Sequence, residues 1–430
     1  MKKHIALLLT LVLLGTMFLT ACGNDTAVSQ APSGDPGASS TDAAPELSGE
    51  IVVATWAGDP YESAWKDKAA EFEEKTGVKV TIDAVPWENL REKCILELAS
   101  QTGAYDVLYV HPSWFEEFVN NDYLVPVEEY ATQEEIDAYV PNLVADYSRN
   151  GKAYGLPDFI ATQVLAYRTD IFEEKNLKAP ESWDELLEVC EALKGSDEYA
   201  PITFPGKKGG TLASVFSAFL VSNGGWYRND AGEPNVNSTE AVETAEFLAK
   251  LAQYEPSGYL NVHWDENGKI AAGGKAAMAV IMTINSAWLE DAESSATAGK
   301  WAYVPIKSND GTPGGIVDNY CWSVASDSQN KDAAGAFVKF ITDTDAQIYF
   351  TEKSSTCGAT NAYYENTELQ KSQPVLVAMQ ETLTNTKPAP SWGTWAAEQE
   401  VLEVSLQDVM SGKLSAKDAM EQVQAKMTEE

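Results

Sequence analysis

The order of apolar patterns between residues 50 and 120 constrains the fold more than any other feature of the chain. Glu50–Trp56 (EIVVATW) is an apolar run of strand length that ends at Ala57-Gly58-Asp59-Pro60. Residues 61–75 then place Trp65, Ala69 and Phe72 at i, i+4 and i+7, the spacing of one helical face. Thr76-Gly77 stops that helix, 78–85 alternates as a strand, Trp87–Ser100 is helical, 105–110 (YDVLYV) is a strand, and Pro112–Asn120 opens a third helix. Strands separated by helices pair in parallel and are covered by those helices, so an α/β fold is expected.

Beyond residue 120 the order is less regular. Residues 153–157 and 164–168 are expected as strands around a connection at 158–163, and Ala276–Met282 and 320–325 as further strands. Helices are expected at 182–193, 212–222, 239–254, 333–342, 346–353, 396–410 and 415–427. A chain of 430 residues exceeds one ordinary core, which predicts two or three domains.

The N-terminus predicts a compartment. Lys2 and Lys3 precede an apolar stretch over 5–19 that ends in Leu19-Thr20-Ala21-Cys22-Gly23, the layout of an export signal. The stretch is short of the ~20 apolar residues a membrane-spanning helix needs. Leu-Thr-Ala-Cys resembles the bacterial lipobox, which implies that residues 1–21 are removed and Cys22 is lipidated. The protein is then expected on the outer face of the bacterial cell membrane. Residues 23–49 hold four acids among Ser, Thr, Ala, Gly and Pro, with no Lys, Arg or aromatic residue, so 22–49 reads as a tether. Cys94, Cys190, Cys321 and Cys357 show no CxxC spacing and are expected as free, packed thiols.

Charge excludes several partners. Thirty Lys and Arg against 65 Asp and Glu give −35, a surface that repels nucleic acid and anionic lipid headgroups. With three His and no ligand spacing, neither a metal nor a cofactor is expected. No GxSxG, HExxH, P-loop or GxGxxG motif occurs. Twelve Trp and 18 Tyr supply flat faces with a polar edge, which suit a sugar's CH face, while carboxylates and amides suit its hydroxyls. A binding protein fits this composition. A secreted glycoside-active enzyme is the alternative, because acids and Trp also line glycosidase clefts.

Six short segments in register resemble the bacterial extracellular solute-binding proteins of ABC transporters, in their carbohydrate-binding branch. They are Phe72-Glu-Glu-Lys-Thr-Gly-Val-Lys-Val80, Gly151-Lys-Ala-Tyr-Gly-Leu-Pro157, Ala166-Tyr-Arg-Thr-Asp-Ile-Phe172, Ala179-Pro-Glu-Ser-Trp-Asp-Glu-Leu186, Gly274-Lys-Ala-Ala-Met278 and Thr283-Ile-Asn-Ser-Ala-Trp288. The resemblance implies a two-lobed periplasmic-binding-protein-like fold with a hinge and a ligand cleft between lobes. Mapped here, lobe 1 is 50–158 plus 318–344 and lobe 2 is 162–314 plus 346–430, with crossings near 158–163, 315–320 and 342–346. It also implies a monomer without catalysis that captures a neutral mono- or oligosaccharide or polyol and delivers it to the permease subunits. Residues 355–360 depart from the family pattern, where many relatives carry a basic residue.

Candidate ligand contacts follow from strand ends and crossings. Trp56 and Asp59 end the first strand, as a stacking face and a hydroxyl acceptor, or as a core cap and a helix cap. Tyr109, His111 and Trp114 follow the third strand in the same way, with ordinary surface or packing roles as the alternative. Asp158 and Phe159 lie on the first crossing, and Asp318, Asn319 and Tyr320 on the second. From the second lobe, Trp226 follows the turn Asn223-Gly224-Gly225, Trp288 matches the family's Trp after Asn-x-x, and Trp392 and Trp395 lie in the Pro-rich approach to the penultimate helix.

Overall fold

The computed structural model describes residues 47–354 and 356–429. The strands of its main sheet are β1 (Glu50–Trp56), β2 (Lys79–Val85), β3 (Val107–Val110), β4 (Leu156–Arg168), β5 (Ala200–Thr203), β6 (Ala276–Met282), β7 (Trp301–Val304), β8 (Gly315–Val324) and β9 (Thr386–Pro388), beside a separate short pair of Ser148–Arg149 with Lys152–Ala153. They form one nine-stranded path in the order β2-β1-β3-β8-β4-β6-β5, with β7 joined to β4 and β9 to β8. The expected parallel pairing holds for β1 with β2 and with β3. The sheet is mixed beyond that, because β8 enters antiparallel to both β3 and β4.

Two lobes share this path. The first is built on β1–β3 with α1 (Tyr61–Thr76), α2 (Trp87–Ser100) and α3 (Pro112–Asn120). Gly77, at φ 76°, closes α1 by donating its N–H to Glu73 O, a left-handed cap that glycine adopts without a Cβ clash. The second lobe is built on β5, β6 and β7 with α4 (Trp183–Leu193), α5 (Thr211–Ser222), α6 (Thr239–Leu251) and α7 (Trp264–Ala272). Eleven of the twelve residues of α5 are buried, all but the half-buried Ser214, so this helix is the second lobe's interior.

The first crossing is a single 13-residue strand, not two strands around a connection. β4 pairs with β8 through Leu156–Thr162 and then with β6 and β7 through Gln163–Arg168. Its polar residues disguised it, because each is satisfied inside. Thr162 Oγ1 donates to Ile316 O at 2.8 Å, and Gln163 donates to Ser214 Oγ at 2.8 Å while accepting from Ile316 N at 3.1 Å.

The boundary drawn at residue 346 is also corrected. Helix α8 (Lys331–Ile341) and helix α9 (Thr344–Ser354) both pack on α1. Phe350 joins the core that holds Ile51, Val53 and Phe72. Cys357 bridges Ile160, and Thr360 bridges Tyr139. Residues 346–372 therefore pack with the first lobe, since the apolar faces they bury are those of α1 and its neighbours. The chain returns to the second lobe through α10 (Val375–Thr382), which packs against β4 and β7. It ends there in α11 (Trp395–Met410) and α12 (Ala416–Met427), both packed on α6.

Cys94, Cys190, Cys321 and Cys357 are free and buried. Cys22 and the tether lie outside the described residues. Among the described residues no helix is long and apolar enough to cross a membrane, and no cluster of His, Cys, Asp and Glu could hold a metal.

Candidate functional site

Side chains alternate faces along a strand, so Ile316, Asp318 and Tyr320 of β8 share one face. Ile316 and Asp318 line a cavity of about 420 Å³, together with Gly210, Ala213 and Ser214 of the α5 region, His263–Asp265 at the start of α7, Asn285, and Trp395 and Gln399 of α11. Tyr320, one step further along the same face, stands among the rings of the first lobe. The cavity and the aromatic wall are thus neighbours on the strand that crosses between the lobes.

The wall is one connected set of rings. Trp56 meets Tyr61, Trp65, Trp87, Tyr109, Phe159 and Tyr320, all at centroid separations of 5.1–6.3 Å. Tyr320 stacks on Tyr109 at 5.5 Å and 14°. His111 packs against Trp87, Trp114 and Tyr320. Trp87, which strand-end reasoning passed over, stacks on Trp114 at 4.9 Å and 26° and remains 41% exposed. It is the first residue of α2, after Pro86.

The wall is anchored from beneath. Asp158 is buried and accepts from Tyr109 Oη at 3.0 Å and Trp322 Nε1 at 2.7 Å. Burial pushes its carboxyl up to about 7, against those hydrogen bonds. Asp158 therefore holds rings in place and does not reach the cavity. Asn319 is fully buried on the opposite face of β8, donating to Leu143 O at 2.9 Å. The alternation that turns Asp318 and Tyr320 inward turns Asn319 away.

Asp59 is exposed at the start of α1 and accepts from Ser63 N at 3.2 Å and from its hydroxyl, the helix-capping arrangement. His111 caps α3, accepting from Ser113 N at 3.1 Å, and burial pushes its imidazole down to about 4. Trp226 and Trp392 both pack on Tyr227, and Trp392 donates to Glu398 at 2.6 Å. Its neighbour Trp395 is the one that lines the cavity.

Trp288, 41% exposed, lines a second hollow of about 430 Å³ with Gly268, Lys269, Ala272 and Ser294. Asp265 borders both hollows. A Cβ on Gly268 would lie 2.8 Å from Trp288 Cε3, so only glycine lets this indole lie across α7.

Four polar side chains lining the first cavity make no hydrogen bond or ion pair among the described residues: Asp265, Asn285, Asp318 and Gln399. Only Asp318 was anticipated from the sequence. Burial raises its carboxyl to about 6, and no cation offsets the cost. Asn285 is buried, Asp318 and Gln399 are half-buried and Asp265 is exposed; polar groups without protein partners, beside ring faces, are suited to a ligand that carries hydroxyls on an apolar frame.

These groups give a pH dependence with a definite sign. Asp146, Asp158 and Asp318 are raised by burial to about 6, 7 and 6, whereas an unfolded Asp titrates near ~3.9. Between about pH 4 and 7 the folded chain holds protons that the unfolded chain has released, so stability rises as pH falls through that window. His111 opposes this below about 6.5, because it stays neutral when folded, but it is one group against these three and against Glu255 and Asp343, which burial also raises. Surface carboxylates held low by lysines, such as Glu71 beside Lys75 and Lys68, lose their contribution only in stronger acid. Thermal melts should therefore give a higher Tm at pH 5 than at pH 7.5, and Asp158→Asn should flatten the difference. A Tm that falls over this range would contradict the burial of these carboxyls.

A two-lobed α/β body whose crossing strands border an open, ring-walled cavity defines a solute-binding protein of the periplasmic type. The chain belongs to the bacterial extracellular solute-binding protein family, whose profile matches residues 58–348. It is 26% identical over 269 residues to the mannitol-binding protein of Pseudomonas aeruginosa, a match covering 59% of each chain. It is 24% identical over 435 residues to the maltooligosaccharide ABC transporter solute-binding lipoprotein of Streptococcus pneumoniae, covering 95% of this chain and 92% of that one. Among solved structures, the sugar-binding protein MalE of Xanthomonas citri superposes with a TM-score of 0.75 at 19% identity, over 88% of this chain and 96% of its own. Maltose-bound MalE3 of T. maritima gives 0.71 at 20%, over 88% and 99%.

Proposed function

We propose that this protein captures a neutral carbohydrate, whether a mono- or oligosaccharide or a polyol, between its lobes and delivers it to the permease of an ABC importer. The observation that carries this reading is the set of four unpartnered polar side chains lining a cavity beside exposed aromatic faces. Hydroxyls satisfy such groups, and the CH face of a sugar ring covers the indoles. The names of the mannitol-binding and maltooligosaccharide-binding relatives agree with that chemistry.

A thermal-shift screen across monosaccharides, oligosaccharides and polyols tests the ligand class, because a ligand that binds only the folded state raises Tm. At saturation the radius of gyration in solution scattering should fall as the lobes close on the crossing strands. No shift with any carbohydrate would overturn the ligand class, and an unchanged radius at saturation would overturn closure. The protein acts without catalysis, so a reducing-sugar assay on incubated glycans should stay at the blank.

The same proposal places the folded body on the outer face of the cell membrane as a monomer, anchored through lipid on Cys22. Cys22→Ala should give an unacylated precursor on metabolic labelling with palmitate. Label retained by that variant would remove Cys22 as the anchor.

A further inference from the structure

A helix N-terminus is a ready anion site, because its first N–H groups lack partners and the helix dipole adds positive potential. Three helices begin at the cavity, and each carries one of the chain's own carboxylates there. At α5 the buried Glu403 accepts from Gly209 N at 2.7 Å, Gly210 N at 2.8 Å and Ala213 N at 3.1 Å. Gly210 and Ala213 both line the cavity, so the donors an anionic ligand would use are already taken. At α7, Glu266 accepts from His263 N at 3.1 Å. At α11, the buried Glu398 accepts from Thr394 Oγ1 at 2.7 Å and pairs with Arg228 at 3.1 Å.

The lining itself agrees. Among the described residues bordering this cavity there is no Lys or Arg, while Asp265 and Asp318 are both present. Lys207 and Lys208, before α5, are exposed and do not border it. Lys269 borders only the neighbouring hollow with Trp288. Asp318 is half-buried, accepts no hydrogen bond among the described residues, and lies on the face that carries Tyr320. A carboxylate placed without a donor costs free energy until a ligand supplies one. An ammonium beside it would gain both the charge and the ring face.

We propose that the cavity selects its carbohydrate by charge: sugars bearing hydroxyls or an amine are taken, and sugars bearing a carboxylate, sulfate or phosphate are refused, with Asp318 as the deciding contact and Glu403 closing the α5 terminus to anions. This rests on the carbohydrate reading above and extends it, adding amine-bearing sugars to the neutral ones. A like charge forced beside Asp318 finds neither a counter-ion nor a free helix terminus.

The test is calorimetry on the whole protein at pH 7.5 with matched probes: glucose, glucosamine and glucuronate, then cellotriose, the chitosan trimer and trigalacturonate. Within the set that binds, the acidic member should be weaker than the neutral one by about a hundredfold or more, as expected for juxtaposed like charges. The amino member should bind within tenfold of the neutral one or tighter. Asp318→Asn should narrow the neutral-to-acidic ratio by roughly tenfold, and Glu403→Gln, which keeps its shape, should narrow it independently. An acidic member within tenfold of its neutral partner, or an amino member that fails as the acidic one does, would overturn selection by charge while leaving the carbohydrate reading intact. A ratio unchanged in both folded variants would overturn the residue assignments.

Discussion

Trp322→Ala should bring the protein close to unfolding. Trp322 is fully buried, with its ring 4.4 Å from Tyr109, 5.7 Å from Trp65 and 6.4 Å from Phe337. Truncating a buried Trp costs about 3–5 kcal/mol through lost contacts and the cavity left behind. A second loss adds to it, because Nε1 supplies one of the two side-chain hydrogen bonds to the buried carboxyl of Asp158. Leaving a buried acceptor short of a donor costs a further ~1–3 kcal/mol. Against a total of about 5–15 kcal/mol, the sum leaves little. Trp322→Phe separates the two losses, since it keeps much of the ring volume and removes only the donor. Denaturant melts should order the proteins wild type, Trp322→Phe, Trp322→Ala. A midpoint for Trp322→Ala near that of wild type would mean that the wall does not rest on this residue.

The same residues show what was legible in the sequence. Trp87–Ser100, Pro112–Asn120 and Ala276–Met282 agree with the structure residue for residue, because Pro before or at a helix start and a short run of apolar residues are local signals. The crossing strand was hidden because Asp158, Thr162 and Gln163 interrupt its apolar pattern, and their partners Trp322, Ile316 and Ser214 are over 50 residues away in sequence. In the site, residues just after strands were accessible to reasoning, because pockets form at the carboxyl ends of parallel strands. Trp56, Tyr109, His111 and Trp114 meet for that reason, and Phe159 and Tyr320 join them from the crossing strands β4 and β8. Asn319 fell to the wrong side because the face is set by register with β4, and Asp158 was spent on the wall's own support. Trp87, Asn285 and Gln399 were missed because they reach the site from helices, or the turn before one, that only tertiary packing brings there.

Trp87 makes the opposite prediction to Trp322. Its indole is pinned from one side by Trp114, with Trp56 and His111 edge-on at 5.7 and 5.2 Å. The ring is therefore ordered before any ligand arrives, while 41% of the residue stays open to solvent. A preordered flat face has little rotamer freedom left to lose on binding, so a sugar ring laid on it keeps most of the contact energy. Trp87→Ala should weaken carbohydrate binding by roughly thirtyfold, about 2 kcal/mol, as for a Trp at the centre of an interface. It should lower stability far less than Trp322→Ala, because much of its surface is never buried by folding. Trp114→Ala should lose both, since Trp114 is buried and is also the support on which Trp87 lies. Trp288 stands apart in the hollow beyond Asp265, so Trp288→Ala should spare monosaccharides and weaken only ligands long enough to reach it. Calorimetric affinities and melts on the three single variants decide the matter. Native affinity in a folded Trp87→Ala protein would remove this ring from the binding face and leave Trp56 and Tyr320 to supply it.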